Sequence, residues 1–223
     1  MKTIAIITAR SGSSGIKDKN IKILKNKPLI YHTINFAKKL KFVDKLIFST
    51  DSKKYLKIAQ KYYPFSKSLR PKKLATKYTK SIDVIKYLIN LEKKIGNFYD
   101  AVLILEPTSP FRKLSDFKKA YEKLKKTKID SILTIKKAKH DPNQMIIEKK
   151  NIFKPLNYKI IFQPRQKNQS KFVPAGSMYF SKINNINENK IVGKKFIGIT
   201  VKGKYAINID DEEDFFLAKK FFR

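Results

Sequence analysis

"TIAIITARSGSSGIKDKN" (residues 3–20) decides how the rest of the chain is read. Its first six residues form an apolar, β-branched run of the kind buried on both faces of a sheet. A polar, pliable loop follows at once. Open α/β sheets bind ligands beyond the carboxyl ends of their strands, so an apolar strand emptying into a donor-rich loop points to a site. Gly12 and Gly15 allow tight turning and expose backbone N–H groups, while Ser11, Ser13 and Ser14 add hydroxyls. Arg10, Lys17 and Lys19 add positive charge, and the combination suits phosphate oxygens. Neither GxxxxGK[ST] nor GxGxxG spacing is present. Taken by itself, the loop reads first as a structural turn.

The segments that follow alternate helix and strand. A helix is expected in "PLIYHTINFAKKL" from Pro28, with proline in its first turn, and a strand in "KLIFSTD" (45–51). Residues 52–63 return to helical spacing, with Tyr55, Leu56 and Ala59 on one face. Residues 81–94 form an amphipathic helix capped by Ser81 or Thr79, and 99–106 the most apolar strand. A helix over 115–126 with Ser115 as cap and a strand over 130–135 complete the run. The alternation predicts a mostly parallel sheet wrapped by helices. It breaks over 136–172, a polar stretch with Pro142, Pro155 and Pro164 and only short β-like runs, "QMIIEKK" and "YKIIFQ". That stretch reads as an extended arm. Sheet-like character returns at 176–182, in "KFIGITV" and in "YAINID", before a last helix in "DEEDFFLAKKFF" whose acidic first turn suits the helix dipole. With no internal repeat and no linker, residues 1–223 read as one domain.

The formal net charge of +33 raises nucleic acid as a partner, but the 51 lysines and arginines are spread over the whole chain. Only five are arginine, so Arg10, Arg70, Arg112 and Arg165, each near the end of an apolar run, mark places where a planar fork of donors is needed. Specific nucleic-acid binding is not expected. The absence of cysteine excludes disulfides, a thiolate nucleophile and zinc–thiolate sites. No apolar run approaches the roughly 20 residues that span a bilayer, and Met1 leads straight into a strand pattern, so the expected location is the cytoplasm. His32 and His140 lack partners at metal-ligand spacing.

The pieces "ARSGSSG", "KPLIYHTI", "STDS", "LRPKKLA", "SIDVI", "LEPTSPFR", "QPRQ" and "INIDDEEDF" run in order from residue 4 to about residue 218. Together they resemble the acylneuraminate cytidylyltransferases. The resemblance implies a Rossmann-like three-layer sandwich of the nucleotide-diphospho-sugar transferase type. It implies transfer of CMP from CTP to the anomeric hydroxyl of a nonulosonic (sialic-type) acid, with release of pyrophosphate, to activate the sugar for surface glycan synthesis. The alternatives are transfer to another acid sugar such as Kdo, or a degenerate nucleotide-binding relative. It also implies Mg²⁺, with Mn²⁺ in its place as an alternative, and a homodimer joined through the arm. No insertion into a membrane is implied.

By the same resemblance Arg10, Ser11, Gly12, Ser14, Gly15, Lys19 and Asn20 surround the nucleotide, with Arg10, Lys19 and Asp210 in catalytic roles. Arg70 and Ser81 lie against the cytosine, unless Ser81 is only a helix cap. Glu106, Arg165 and Tyr179 contact the sugar, Tyr179 reading otherwise as a core aromatic. Asn208 and Asp210, two apart on a strand, hold the metal. Three residues depart from the family pattern: Ser14 stands where lysine is usual, Glu106 where glutamine is, and Asn208 where aspartate is.

Overall fold

The computed structural model describes residues 1–12, 15–66, 69–159 and 170–222. In chain order the first half holds β1 (Thr3–Thr8), the short β2 (Ile23–Leu24) and β3 (Lys27–Pro28), α1 (Leu29–Ala37), β4 (Lys45–Ser49), α2 (Lys53–Gln60) and α3 (Ser81–Lys94). The second half holds β5 (Ala101–Leu105), α4 (Leu114–Lys126), β6 (Ser131–Lys137), β7 (Ile146–Lys149) and β8 (Ile152–Pro155). β9 (Phe172–Lys182), α5 (Ile183–Asn187), β10 (Phe196–Thr200) and α6 (Glu212–Lys220) follow.

Six strands form one sheet in the order β10-β6-β9-β5-β1-β4. The opening strand β1 lies inside it, parallel to β4 and β5. Its side chains alternate between the two faces, as a pleated strand requires. Ala5 and Ile7 join Ile30, Ile34, Leu56 and Phe117 beneath α1, α2 and α4. Ile4 and Ile6 join Val102, Ile104, Ile85, Ile89 and Ile186 beneath α3 and α5. The result is the three-layer, mostly parallel arrangement expected. β9 is the exception, running antiparallel to both neighbours. A parallel return after β6 needs a long crossover, usually a helix. Among the described residues between β6 and β9 there is no α-helix, only a 3₁₀ turn and the β7–β8 hairpin, and the chain turns back instead.

Four local expectations are corrected. Pro28 is the N-cap of α1 and not in its first turn, because its ψ of 148° is extended and it pairs with Ile23 in β3. α3 spans the expected residues, but neither Ser81 nor Thr79 caps it. Lys80 holds the cap position without a side-chain bond, and the Thr79 hydroxyl accepts instead from the Thr76 N–H. A cap residue must be extended with its oxygen turned onto the first N–H groups, whereas Ser81 is already inside the helix. In the same way α4 begins at Leu114, a residue packed on the core, which draws Ser115 into the first turn; Lys113 is the N-cap.

The fourth correction concerns "YAINID", where no strand forms. A 3₁₀ turn over Gly203–Ala206 leads into an extended segment, 207–210, whose Ile209 N–H donates to the Thr108 carbonyl. Ile207 and Ile209 leave the sheet to pack with Ile16, Leu24, Leu29, Phe111 and Phe215 in a separate cluster. That cluster also buries α6, whose N-cap Asp211 accepts from the Asp214 N–H. The arm contains the β7–β8 hairpin, closed by Lys150 and Asn151 at positive φ, as a two-residue primed turn requires. "YKIIFQ" falls mostly outside the described residues. Among them, no helix is long and apolar enough to cross a membrane.

Candidate functional site

Four loops meet at the carboxyl ends of β1, β4 and β5, and hydrogen bonds fix how they meet. The Ser11 N–H and hydroxyl both donate to the Asp51 carboxylate, at 2.8 and 2.5 Å. Burial alone would raise the Asp51 pKa, but these bonds outweigh it and hold the carboxyl below its usual range. Asn20, itself buried, donates its amide to the Arg10 carbonyl at 2.9 Å and so closes the loop on itself. Asp18 adopts a left-handed conformation and accepts from the Tyr55 hydroxyl at 2.9 Å and from Lys54 at 3.1 Å. These contacts clip the loop to α2.

Lys19 reaches the other way. Its ammonium donates to the Ile209 carbonyl at 2.8 Å and lies 3.5 Å from the Asp210 carboxylate. Lys22 pairs with Glu212 at the start of α6 and reinforces the join. Gly15 abuts the Asp210 backbone carbonyl so closely that a β-carbon there has no room. Gly15→Ala must therefore push the loop off the 207–210 segment. We expect a lower melting temperature, by the equivalent of about 1–3 kcal/mol for overpacking against backbone. An unchanged thermal melt would show that the contact is not made in solution.

A second group of polar atoms gathers at the end of β5. Ser109 donates to the Asn208 Oδ1 at 3.1 Å and lies 3.2 Å from the Ala175 carbonyl. Asn208 Nδ2 donates to Asp210 Oδ2 at 3.0 Å. Asn208 and Asp210 thus face the same side, as expected, though from an extended segment and not from a strand. At Gly176, φ 77°, the position that a β-carbon would take is crowded. That point is 2.8 Å from Ser109 Oγ, 3.0 Å from Glu106 Oε2 and 3.1 Å from Asn208 Oδ1. Burial pushes the Glu106 carboxyl up to about 7; Asp210 raises it further, while Arg112 and Lys19 pull it down. Tyr179, half-buried on β9, is raised to about 12 by burial and by Glu106. Its ring packs among the α3-side core residues.

The loop, Glu106, Tyr179, Asn208 and Asp210 are therefore brought together as read from the sequence. Other expected residues are placed differently. The Ser11 hydroxyl is committed to Asp51. The Asn20 amide is spent on the Arg10 carbonyl. Arg70 is buried, donating to the Ser49 carbonyl at 3.0 Å and the Ser49 hydroxyl at 3.2 Å, so its fork braces the end of β4. Ser81 is exposed at the start of α3, and its hydroxyl makes no hydrogen bond among the described residues. Gly12 adopts φ 50° in open space. Ser14 and Arg165 lie outside the described residues.

Asp51, Asp18, Ser109, Gly176 and Arg112 were not singled out as site residues, although Asp51 and Ser109 stand inside the polar runs "STDS" and "PTSP". Arg112 was marked only by its rarity. It donates to the Ser177 carbonyl (2.9 Å), the Thr33 hydroxyl (2.9 Å) and the Glu106 carbonyl (2.6 Å). One half-buried guanidinium thus ties β9, α1 and the end of β5 together.

A family model described as "Cytidylyltransferase" matches residues 4–195. The chain is 32% identical over 192 residues to a CMP-N,N'-diacetyllegionaminic acid synthase of Legionella pneumophila, covering 85% of this chain and 82% of that protein. It is 30% identical over 223 residues to an N-acylneuraminate cytidylyltransferase of Escherichia coli O18:K1:H7, covering 97% of this chain and 51% of that protein. The chain thus spans about half the length of that relative. In fold it is similar to a solved CMP:2-keto-3-deoxy-manno-octonic acid synthetase complexed with CTP. The TM-score is 0.72 at 12% identity, with 100% of this chain and 98% of that one covered.

Proposed function

The chain belongs to the cytidylyltransferase family, and from that premise we propose that it transfers CMP from CTP to the anomeric hydroxyl of a nonulosonic acid. The relatives named for sialic, legionaminic and pseudaminic acids support that substrate class. In the reaction the sugar hydroxyl attacks the α-phosphorus. A new oxygen–phosphorus bond forms as the bridging bond to the β-phosphate breaks; pyrophosphate leaves and the hydroxyl proton passes to solvent.

The observation that carries this reading is the position of Lys19, whose ammonium joins the opening loop to the Ile209–Asp210 backbone beside Glu106. A cation held there suits a triphosphate whose charge must shift towards the leaving group. Arg10, anchored through its own carbonyl, is the second cation of the loop. On this reading the family resemblance assigns Arg70 and Ser81 to the cytosine, and Tyr179 and Glu106 to the sugar.

Asn208 Oδ1 and the Asp210 carboxylate would hold Mg²⁺ or Mn²⁺, and the donor set fits. Both carry hard oxygen donors two residues apart on one extended segment, and their side chains are already in contact, the Asn208 amide nitrogen donating to the Asp210 carboxylate. A divalent cation bound there neutralises charge on the triphosphate. Calorimetric titration with CTP tests the reading. Arg10→Ala and Lys19→Ala should each weaken CTP binding at least tenfold, about 1.4 kcal/mol. Wild-type affinity for CTP no better than for ATP or UTP, or unchanged affinity in both variants, would contradict it.

A homodimer is part of the proposal. The hairpin carries exposed Ile146, Ile147, Ile152 and Phe153, with Phe153 66% exposed, and nearby Leu156 and Tyr158 are exposed as well. An apolar ribbon standing off the sheet, on an arm that the family resemblance assigns to dimerisation, suits a second copy of the chain. Ile147→Lys combined with Phe153→Lys should convert the dimer to a monomer in sedimentation equilibrium. A wild-type monomer at micromolar concentration would overturn this part. We place the enzyme in the cytoplasm, alongside its nucleotide.

A further inference from the structure

We infer that Asp51 and Tyr55, at the start of α2, are positioning residues for the opening loop. They hold the residues next to its two cations, Ser11 beside Arg10 and Asp18 beside Lys19, in the shape that receives the nucleotide. The inference rests on the cytidylyltransferase reading and deepens it. Three observations lead to it.

The first is where the contacts fall. The Asp51 carboxylate accepts from both the Ser11 N–H, at 2.8 Å, and the Ser11 hydroxyl, at 2.5 Å. The Tyr55 hydroxyl donates to the Asp18 carboxylate at 2.9 Å, and Lys54 donates to its other oxygen at 3.1 Å. Arg10 and Lys19 are the chain neighbours of the two residues so held. Releasing either tether therefore frees a cation to move.

The second is the firmness of the anchor. Tyr55 is 1% exposed, packed in the core with Leu56 and Ala59. Ser52 caps α2 by accepting from the Tyr55 N–H at 3.3 Å, and its own N–H donates to the Thr50 hydroxyl at 3.2 Å. The Thr50 carbonyl accepts from the Arg70 N–H at 2.8 Å, and the Ser49 carbonyl from the Ala9 N–H at 2.9 Å. Asp51 and Tyr55 thus project from a packed strand–helix junction. Such an element fixes a functional loop more closely than another loop would.

The third is the conformation that is held. Asp18 stands at φ 53°, in the left-handed region that few residues other than glycine adopt. It is the N-cap of the 3₁₀ turn Lys19–Ile21, yet its side chain makes no capping bond to that turn. The carboxylate is turned to Tyr55 and Lys54 instead. Asp51 is an anion and would repel a triphosphate, so its contribution comes through Ser11 and not through contact with the nucleotide. Without the tethers the loop samples other shapes, and apparent affinity falls with the fraction of molecules that remain competent.

The test measures CTP affinity of the full chain by calorimetry, and kcat and KM for CTP in the transferase assay. Tyr55→Phe, which keeps the buried ring, and Asp51→Ala should each weaken CTP binding at least about fivefold. KM should rise in step while kcat stays within about twofold of wild type. The thermal melt of Tyr55→Phe without nucleotide should hold, as a merely structural hydroxyl would not allow. Asp51→Asn keeps an oxygen for the Ser11 N–H and should recover part of the loss. Asp18→Gly accepts the left-handed conformation but removes the carboxylate, and should weaken binding as Tyr55→Phe does. Adding Tyr55→Phe to it should cost nothing more, since the hydroxyl has already lost its acceptor. Wild-type CTP affinity in Tyr55→Phe or in Asp51→Ala would overturn the inference. So would a fall in kcat as large as the rise in KM, or full additivity in the double variant. A wild-type chain that binds no CTP overturns the cytidylyltransferase reading, whereas one that binds CTP with indifferent variants overturns this inference alone.

Discussion

Asp210→Asn is expected to lower kcat at saturating CTP and sugar acid by at least 100-fold, about 2.7 kcal/mol of barrier. The residue stands where the two halves of the site join. Its carboxylate faces Lys19 on one oxygen and Asn208 on the other, and its backbone carbonyl abuts Gly15. Neutralising it removes a carboxylate from the proposed metal site and leaves the Lys19 ammonium without its counter-charge. A merely structural role would look different. If Asp210 served chiefly to start α6, its substitution would appear in the thermal melt. The cap of α6 is Asp211, however, which accepts from the Asp214 N–H at 2.9 Å, and Asp210 contributes only its backbone N–H to the Asp214 side chain. An asparagine keeps that N–H. The melting temperature should therefore hold while turnover collapses, and the reverse pattern would remove Asp210 from the chemistry.

Arg112→Leu should be the most destabilising of the substitutions considered, at about 3–5 kcal/mol in urea denaturation. Burial pulls the Arg112 guanidinium down to about 9, with Glu106 opposing, yet it remains charged at neutral pH. Leucine fills part of the volume but leaves the Ser177 carbonyl, the Thr33 hydroxyl and the Glu106 carbonyl without their donor. Each unsatisfied buried group costs about 1–3 kcal/mol. Arg112→Lys should recover only part of the loss, because one ammonium cannot reproduce a planar fork to three acceptors on three elements. A loss below about 1 kcal/mol for Arg112→Leu would show that those acceptors find water instead.

How far the sequence discloses this molecule depends on which force dominates each segment. Where burial does, the reading is close. "TIAIIT" is β1, residues 81–94 are α3, and Tyr55, Leu56 and Ala59 are buried on one face of α2. Cap residues are less legible, since the same Ser81 or Ser115 serves before a helix or inside it, and core packing decides where the helix begins. The antiparallel β9 could not be read because its alternation would suit either direction. Its sense is shown by its pairing, antiparallel to both β5 and β6. "YAINID" looks like a strand by composition, but its isoleucines face a separate cluster with Phe111 and Phe215, and the backbone leaves the sheet.

The site follows the same division. The opening loop could be recognised because glycines, serines and cations stand together after a strand. The partners that hold it, Asp51 and Tyr55, are distant in sequence, and nothing in their local context announces the contact. The rarity of arginine marked Arg112 as needing a fork of donors, and three acceptors on three elements are what it serves. Rarity could not name those acceptors, since they come from residues 33, 106 and 177.

The central claim is tested most directly by pyrophosphate release from CTP by the wild-type chain with Mg²⁺. The panel should include N-acetylneuraminic, legionaminic and pseudaminic acids and, as the acid sugar outside the class, Kdo. The account predicts release that requires the sugar, matches the CMP-sugar formed, favours a nonulosonic acid over Kdo, and falls away when UTP replaces CTP. CTP binding without pyrophosphate release for any nonulosonic acid would contradict it and leave a nucleotide-binding relative without transferase activity.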